Sequence, residues 1–207
     1  MWRVYEKVDP YNSGLVLSPD VTTASQEFGH RIVARNDGRT VVVSAPGKGQ
    51  GEVHFLFRKS ADAGTSLSTQ STVTMTENND DTSRLGESLS ISTDENFIVA
   101  GAPFSNTVDS DGSTRQIDSG LLKIYLWNSS TFEYAILNTI SPPTDGSSSN
   151  EGLNFGWQHK ISEPGESSLR TTPRKYLFVS APGHDSDRGR VYMYTWGIGA
   201  DGSTYDT

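Results

Sequence analysis

The sequence predicts an all-β fold built from a repeated antiparallel unit, and three observations carry that expectation. Only 33% of the residues belong to the hydrophobic set, and Gly, Ser, Thr, Asp and Asn fill much of the remainder. Apolar residues cluster in short runs punctuated by Gly and Pro, not in the sustained stripes at helical spacing that a bundle needs. Most decisively, one pattern of strands and punctuation returns three times along the chain.

The first copy opens at Phe28-Gly29-His30-Arg31-Ile32-Val33, continues through Val41-Val42-Val43-Ser44-Ala45-Pro46-Gly47, and closes with Gly51-Glu52-Val53-His54-Phe55-Leu56-Phe57. The second runs Leu85-Gly86-Glu87-Ser88-Leu89, then Ile98-Val99-Ala100-Gly101-Ala102-Pro103, then Gly120-Leu121-Leu122-Lys123-Ile124-Tyr125-Leu126-Trp127. The third runs Phe155-Gly156-Trp157, then Tyr176-Leu177-Phe178-Val179-Ser180-Ala181-Pro182-Gly183, then Gly189-Arg190-Val191-Tyr192-Met193-Tyr194. Gly51, Gly120 and Gly189 recur at intervals of 69 residues, while length differences fall in polar stretches such as 106–119 and 162–174. Insertions confined to loops, with strand order kept, are what a repeated supersecondary unit predicts.

Each element has a physical reading. A first strand follows the aromatic-glycine pair. The second is a short apolar run, β-branched in the first two copies, as for a strand buried on both faces. Small residues follow where strands from several units crowd together, and the proline ends the strand because it cannot donate to a ladder. The third strand alternates, with Val191 and Met193 set against Tyr192 and Tyr194. Residues 67–75 and 132–140 are the candidates for a fourth, outer strand. The units fall at 24–80, 81–142 and 150–207, the last without its outer strand, and 1–10 reads as the outer strand of a split unit.

Four-stranded sheets repeated around an axis make a β-propeller, which closes with about four to eight blades. A β-sandwich with chance likeness between strands is the competing fold. About three blades per chain amounts to a half ring or a fragment. The expected closure is head-to-tail strand exchange with a second copy, giving a homodimer, or completion by the remainder of a longer propeller.

The run of Phe-Gly, an apolar strand ending Gly-Ala-Pro, and Gly-x-Val-x-x-Tyr resembles the FG-GAP repeat, which builds the propeller of integrin α subunits and of bacterial and phage surface proteins. Residues 98–103 carry the full Gly-Ala-Pro, the other copies read Ser-Ala-Pro, and Leu85-Gly86 replaces Phe-Gly in the middle copy. The resemblance covers nearly the whole chain and implies the fold; function must be argued from sites. It also implies a calcium loop of the form Asp-x-Asp-x-Asp-Gly-x-x-Asp between first and second strands. The matching stretches, 35–39, 92–96 and 162–175, supply too few oxygens for a site wanting about six to eight.

Composition narrows the function. A formal charge of −8 and scattered basic residues, densest at Arg170, Arg174 and Lys175, argue against a nucleic-acid surface. No run approaches the roughly 18 apolar residues of a membrane helix, and the N-terminus has no apolar leader core. With no cysteine, disulfides, thiolate metal sites and a cysteine nucleophile are excluded. Asp109-Ser110-Asp111-Gly112, with Asp118 following, is the best cation candidate, because alternating aspartates can turn carboxylates toward one point. Asp185-Ser186-Asp187 stands in the corresponding third loop. Both also suit solvated turns. Calcium there is the one cofactor to consider.

The four histidines, His30, His54, His159 and His184, show no zinc-protease spacing, and no Gly-x-Ser-x-Gly elbow occurs. His30 and His159, close to matching positions after the glycine, read as structural hydrogen-bonding groups, and His54 as a half-exposed sheet residue. Gly47-Lys48-Gly49-Gln50-Gly51 lacks the Ser/Thr of a phosphate loop and the helix behind it, so it reads as a tight strand connection. Phe55, Phe57, Tyr125, Trp127, Tyr192, Tyr194 and Trp196 recur on third strands as packing, with sugar stacking the alternative. Asn128-Ser129-Ser130 is a glycosylation sequon for a secreted eukaryotic chain.

The sequence thus reads as a non-catalytic interaction or structural module of a virion, cell surface or secreted adhesin, with a protein or glycan ligand and no enzymatic role. The alternative is a carbohydrate-binding lectin, or a glycan-acting propeller hydrolase with two carboxylates roughly 5–10 Å apart.

Overall fold

The structure, a computed structural model, describes residues 3–6, 15–18, 26–36, 40–57, 68–74, 83–108, 115–131, 133–143, 150–162 and 174–197. Within them the chain is almost wholly antiparallel β. Sheet 1 holds β3 (Ile32–Ala34), β4 (Thr40–Ala45), β5 (Glu52–Phe57) and β6 (Ser68–Thr74) in that order. Sheet 2 holds β7 (Ser88–Ile91), β8 (Phe97–Ala102), β11 (Leu121–Asn128) and β12 (Glu133–Ile140). Sheet 3 holds β13 (His159–Ser162), β14 (Arg174–Ala181) and β15 (Arg190–Gly197).

Two hairpins stand apart from these sheets. The polar insertion of the second unit carries one, β9 (Thr107–Val108) with β10 (Arg115–Gln116). Near the N-terminus, β1 (Arg3–Glu6) pairs with β2 (Leu15–Ser18), so the strand within 1–10 has a hairpin partner of its own. Glycine and the alternating polar residues around each strand make these simple up-and-down meanders, the easiest antiparallel connection.

The three sheets follow one another side by side. Their first strands converge, with β3 against β7 and β7 against β13. Counted from Gly51, Gly120 and Gly189, the second and third strands pair in the same register, Glu52 with Ala45, Leu121 with Ala102 and Arg190 with Ala181. Val53 and Phe55 of sheet 1 face sheet 2 in one apolar cluster with Ile98, Ala100 and Tyr125. In the next cluster Leu122 and Ile124 of sheet 2 meet Leu177, Val179 and Ala181 of sheet 3. Sheet 2 therefore turns a rear face to sheet 1 and a front face to sheet 3, and the corresponding faces of the other two sheets take the same names. Burying each large side chain in these layers stabilises by about 1.5–3 kcal/mol.

Glycine sets the joint between sheets. Gly51 and Gly120 have φ of +98° and +83°. A Cβ on Gly51 would lie 2.1 Å from the Leu85 nitrogen, and one on Gly120 would lie 2.1 Å from the Phe155 carbonyl oxygen. The next unit seats itself in that space: Leu85 N–H donates to the Gln50 carbonyl at 2.9 Å, and Phe155 N–H donates to the Ser119 carbonyl at 3.0 Å. Gly120 and Phe155 form a parallel bridge there. The 69-residue glycine interval is thus the spacing of the joints.

At Gly189 the backbone has the same sense, φ +76°, but a Cβ would meet no atom closer than 3.6 Å. Gly189→Ala is expected to cost only the left-handed strain of an L-residue, about 1–2 kcal/mol. Gly120→Ala should add about 1–3 kcal/mol of overpacking to that strain. Urea denaturation of the two variants checks the difference, and equal losses would mean that the Phe155 seat bears no load.

Candidate functional site

Each unit opens on the same turn. Glu27, Arg84 and Asn154 take left-handed φ of 55°, 54° and 52°, and the glycines two residues on have φ of 91°, 91° and 88°. The N–H of the residue after each glycine donates back across the turn: His30 to Glu27, Glu87 to Arg84, and Trp157 to Asn154, at 3.0–3.1 Å. A positive φ at the third position of such a turn requires glycine. Each turn glycine also donates to the second strand, Gly29 to Ser44, Gly86 to Gly101 and Gly156 to Ser180. The glycine turn of the next unit packs against the residue before the Ala-Pro, which is why Ser44 and Gly101 are small. Gly101 is the extreme case, since its Cβ would lie 2.2 Å from the Gly156 carbonyl oxygen.

The three turns bring His30, Glu87 and Trp157 to equivalent places at one end of the converging first strands, here called the turn end. His30 Nε2 lies 3.0 Å from Glu87 Oε1. Arg84 Nε donates to Glu87 Oε2 at 2.8 Å, and its Nη2 donates to Glu27 Oε2 at 2.6 Å. Arg31 Nε donates to the Glu87 carbonyl at 3.2 Å. The hydrogen bond from Arg84 holds the Glu27 carboxyl below its ordinary range, and the two glutamates raise Arg84 in turn. Trp157, in the third unit, is 39% exposed and meets the Phe104 ring edge-on at 5.6 Å. Two units thus contribute a charged chain and the third an exposed aromatic face.

Just below lies a polar staple between units. Ser88 Oγ donates to the Gly156 carbonyl at 2.7 Å and lies 2.9 Å from His159 Nδ1, while His159 Nε2 lies 2.9 Å from the Val99 carbonyl oxygen. Desolvation lowers the His159 pKa from 6.5 to about 4, against the raising influence of the Val99 carbonyl. The strand registers Ile32–Val43, Leu89–Ala100 and His159–Val179 align His159 with Ile32 and Leu89. His30 aligns with Glu87 and Trp157, so the two histidines occupy different positions in the unit. The offset can be counted in the sequence, where His30 stands one residue after Gly29 and His159 three after Gly156.

His54, expected half-exposed, is only 2% exposed. It sits edge-on to Phe28 at 5.4 Å, with Glu52 Oε2 3.0 Å from its Nε2 and Lys48 Nζ 2.9 Å from the same oxygen. Burial pushes it down to about 4, and Glu52 only partly offsets this. Its position on β5 matches Tyr192 on β15, which packs on Phe155 at 5.5 Å as His54 packs on Phe28. The rear face of sheet 1 is therefore covered, where a two-period strand pattern alone suggested a solvated face.

The opposite end of the sheets holds the loops where the resemblance placed calcium. Asp94 accepts from Ser92 Oγ at 2.6 Å, Asn96 Nδ2 at 3.0 Å and Lys175 Nζ at 2.8 Å. Although desolvation pushes Asp94 up, these bonds hold it below its ordinary value. Arg35 lies over the Trp127 ring at 4.3 Å and pairs with Glu95 at 3.3 Å. The acidic groups of this loop are thus spent on bonds between units.

Of the cation candidates, Asp109 and Asp111 lie outside the described residues. Asp118 has φ 51° and serves by its backbone, donating to Asn106 Oδ1 and accepting from Asn154 N–H. In the third loop, Asp185, Ser186 and Asp187 form a left-handed turn in which Arg188 pairs with Asp185 at 3.0 Å. Among the described residues no group of three His, Asp or Glu side chains is placed to hold a metal ion. The 47–51 stretch is a tight strand connection, closed by Lys48 N–H to Ala45 and Gly51 N–H to Lys48. Phe55 and Tyr125 are core rings 5.3 Å apart, and burial raises Tyr194 to about 12. No described helix is long and apolar enough to cross a membrane.

In class, then, the chain is an all-β protein of repeated antiparallel sheets. Among solved structures, it is similar to the Pseudomonas aeruginosa periplasmic gluconolactonase PpgL, with 12% identity and a TM-score of 0.41 over 87% of this chain. The chain spans 41% of the length of that protein. No family model matches the chain, and no curated protein matches it. The gluconolactonase is an enzyme, which corrects the expectation of a non-catalytic interaction or structural module: folds of this kind give no ground for setting catalysis aside. So distant a likeness assigns no activity to this chain.

The buried His54 and the half-buried His159 are neutral in the folded chain down to about pH 4 but take up protons near 6.5 when unfolded. The unfolded state binds more protons between those values, so stability should be full above pH 6.5 and fall as the pH drops toward 4. The expected loss between pH 7 and 5 is on the order of 1–2 kcal/mol per imidazole. Urea titrations across this range, with His159→Gln flattening part of the slope, check it.

Proposed function

We propose that this chain works as a run of blades in an FG-GAP-type β-propeller and that it binds its ligand at the turn end, around His30, Glu87 and Trp157. The observation that carries this reading is the equivalent place of the residue after each repeat glycine, His30 and Glu87 joined directly at 3.0 Å and Trp157 exposed on the third turn. Fixed turns on rigid strands are good positions for binding groups, because the scaffold holds them while their tips stay accessible. The charged chain would fix polar groups of a ligand, and the Trp157 face would cover an apolar or ring surface.

On this reading each sheet is one blade, and the ring is completed by blades beyond these three. A place on a virion, at a cell surface or in a secreted assembly goes with this reading, the acidic composition being compatible with it. A role without catalysis is no part of the reading.

Labelling the four tryptophans with fluorotryptophan and screening small sugars, carboxylates and amino acids by fluorine NMR tests it. The Trp157 signal should move with bound compounds, and His30→Ala should weaken that binding about tenfold, or ~1.4 kcal/mol. Compounds that bind while shifting only Trp2, Trp127 or Trp196 would place the ligand elsewhere.

A further inference from the structure

We infer that the turn end takes a compound carrying an oxyanion, carboxylate or phosphate, on a ring, with the oxyanion on Arg31 and the ring over Trp157. The inference rests on the turn end being the binding site, and it names the class of ligand that the site accepts.

The hydrogen-bonding capacity of the turn end decides the chemistry. Each carboxylate oxygen of Glu27 and Glu87 is already engaged. Glu27 Oε1 and Oε2 accept from Arg84 Nη1 and Nη2 at 3.3 and 2.6 Å, and Glu87 Oε2 accepts from Arg84 Nε at 2.8 Å. Glu87 Oε1 faces His30 Nε2 at 3.0 Å. All three Arg84 nitrogens are used in this way. Arg31 is different. It is exposed, and its Nε alone is bonded, to the Glu87 carbonyl at 3.2 Å. Among the described residues its two Nη nitrogens have no partner and it joins no ion pair. What the turn end has left to offer is therefore a charged donor. Glu27 and Glu87 are matched in charge by Arg84 and Arg31, so an arriving anion meets no net like charge in the group.

Arg31 is also held in place. Its N–H donates to Ser44 Oγ at 3.0 Å, and its carbonyl accepts from Ser44 N–H at 3.0 Å. Ser180 makes the same pair of bonds to Gln158, at 2.9 Å each, so the serine of Ser-Ala-Pro fixes this position in both units that carry it. With the backbone fixed and Nε tied to Glu87, the Nη edge of the guanidinium is left for a ligand. That edge gives two parallel N–H bonds to the oxygens of a carboxylate or phosphate.

Trp157 supplies the second contact. Arg31 bonds the Glu87 carbonyl, and the next residue, Ser88, donates through Oγ to the carbonyl of Gly156, which precedes Trp157. The indole is 39% exposed and braced edge-on by Phe104 at 5.6 Å. An aromatic face supported on one side and open on the other covers a ring or apolar body. A charged fork and an aromatic face on separate turns suit a ligand that is anionic at one end and ring-like at the other.

Fluorine NMR of the fluorotryptophan-labelled chain tests this with matched pairs, benzoate against benzamide and glucose 6-phosphate against glucose. The anion of at least one pair should move the Trp157 signal and bind at least tenfold more tightly than its neutral partner. The pair with the larger preference tells carboxylate from phosphate. Arg31→Gln should remove that preference, whereas Lys160→Gln, an equal loss of charge at an exposed position on β13, should leave it unchanged. Circular dichroism and melting show that each variant stays folded, and the preference of the unaltered chain needs no variant. Neutral compounds that move Trp157 and bind as tightly as their anions overturn the ligand class and leave the site standing. So does a preference that survives Arg31→Gln, or one that Lys160→Gln removes equally. A Trp157 signal that no compound moves overturns the site itself, and this inference with it.

Discussion

The structure depends on one contact made twice: a residue of the next unit lying where a glycine has no side chain. Leu85 over Gly51 and Phe155 over Gly120 fix the distance and turn between successive sheets, and the apolar layers meet only once that contact is made. The hydrogen bonds from Leu85 and Phe155 to the carbonyls before the glycines align the backbones, and the layers of Val53, Phe55, Leu122 and Ile124 supply the stabilisation. Left-handed backbone and close approach coincide at Gly51 and Gly120, so no other residue fits either place.

Polar bonds then lock what the layers bring together. At the turn end Arg84 spans Glu27 of its predecessor and Glu87 of its own unit; at the far end Lys175 reaches back to Asp94 and Arg35 forward to Glu95. Surface pairs of this kind are each worth little, about 0–1 kcal/mol. Their value lies in register, since each acts across a joint that the glycine contact has already set. The Ser88–His159 staple belongs to the same design, and its pH dependence falls between about 4 and 6.5, above the acid range in which the outer carboxylates Glu27 and Asp94 take up protons.

Much of the architecture was legible because glycine and proline report backbone geometry directly. The second strands were expected from Val41–Ala45, Ile98–Ala102 and Tyr176–Ala181, and the outer strands from 67–75 and 132–140; β6 and β12 lie within those ranges. Side-chain environments were harder to read. Alternation on β5 gave His54 a solvated face because nothing in the local pattern reveals that Phe28 folds over it. His30 and His159 were read as near-equivalent although His30 stands one residue after its glycine and His159 three after its own, a difference the sequence already shows. The turn-end group was missed altogether, though the residue after each Phe-Gly or Leu-Gly pair was its signal. Its members, His, Glu and Trp, share no chemistry, and only their common position joins them.

The seated turn can be observed directly by amide hydrogen exchange. The Leu85 and Phe155 amides belong to no strand, yet each is bonded to the preceding unit. Protection at both comparable with that of the β8 and β11 ladder is the expected result, because opening either would require separating two sheets. Exchange at the rate of ordinary loop amides, with the strands still protected, would contradict the glycine joint as the contact on which the fold is built.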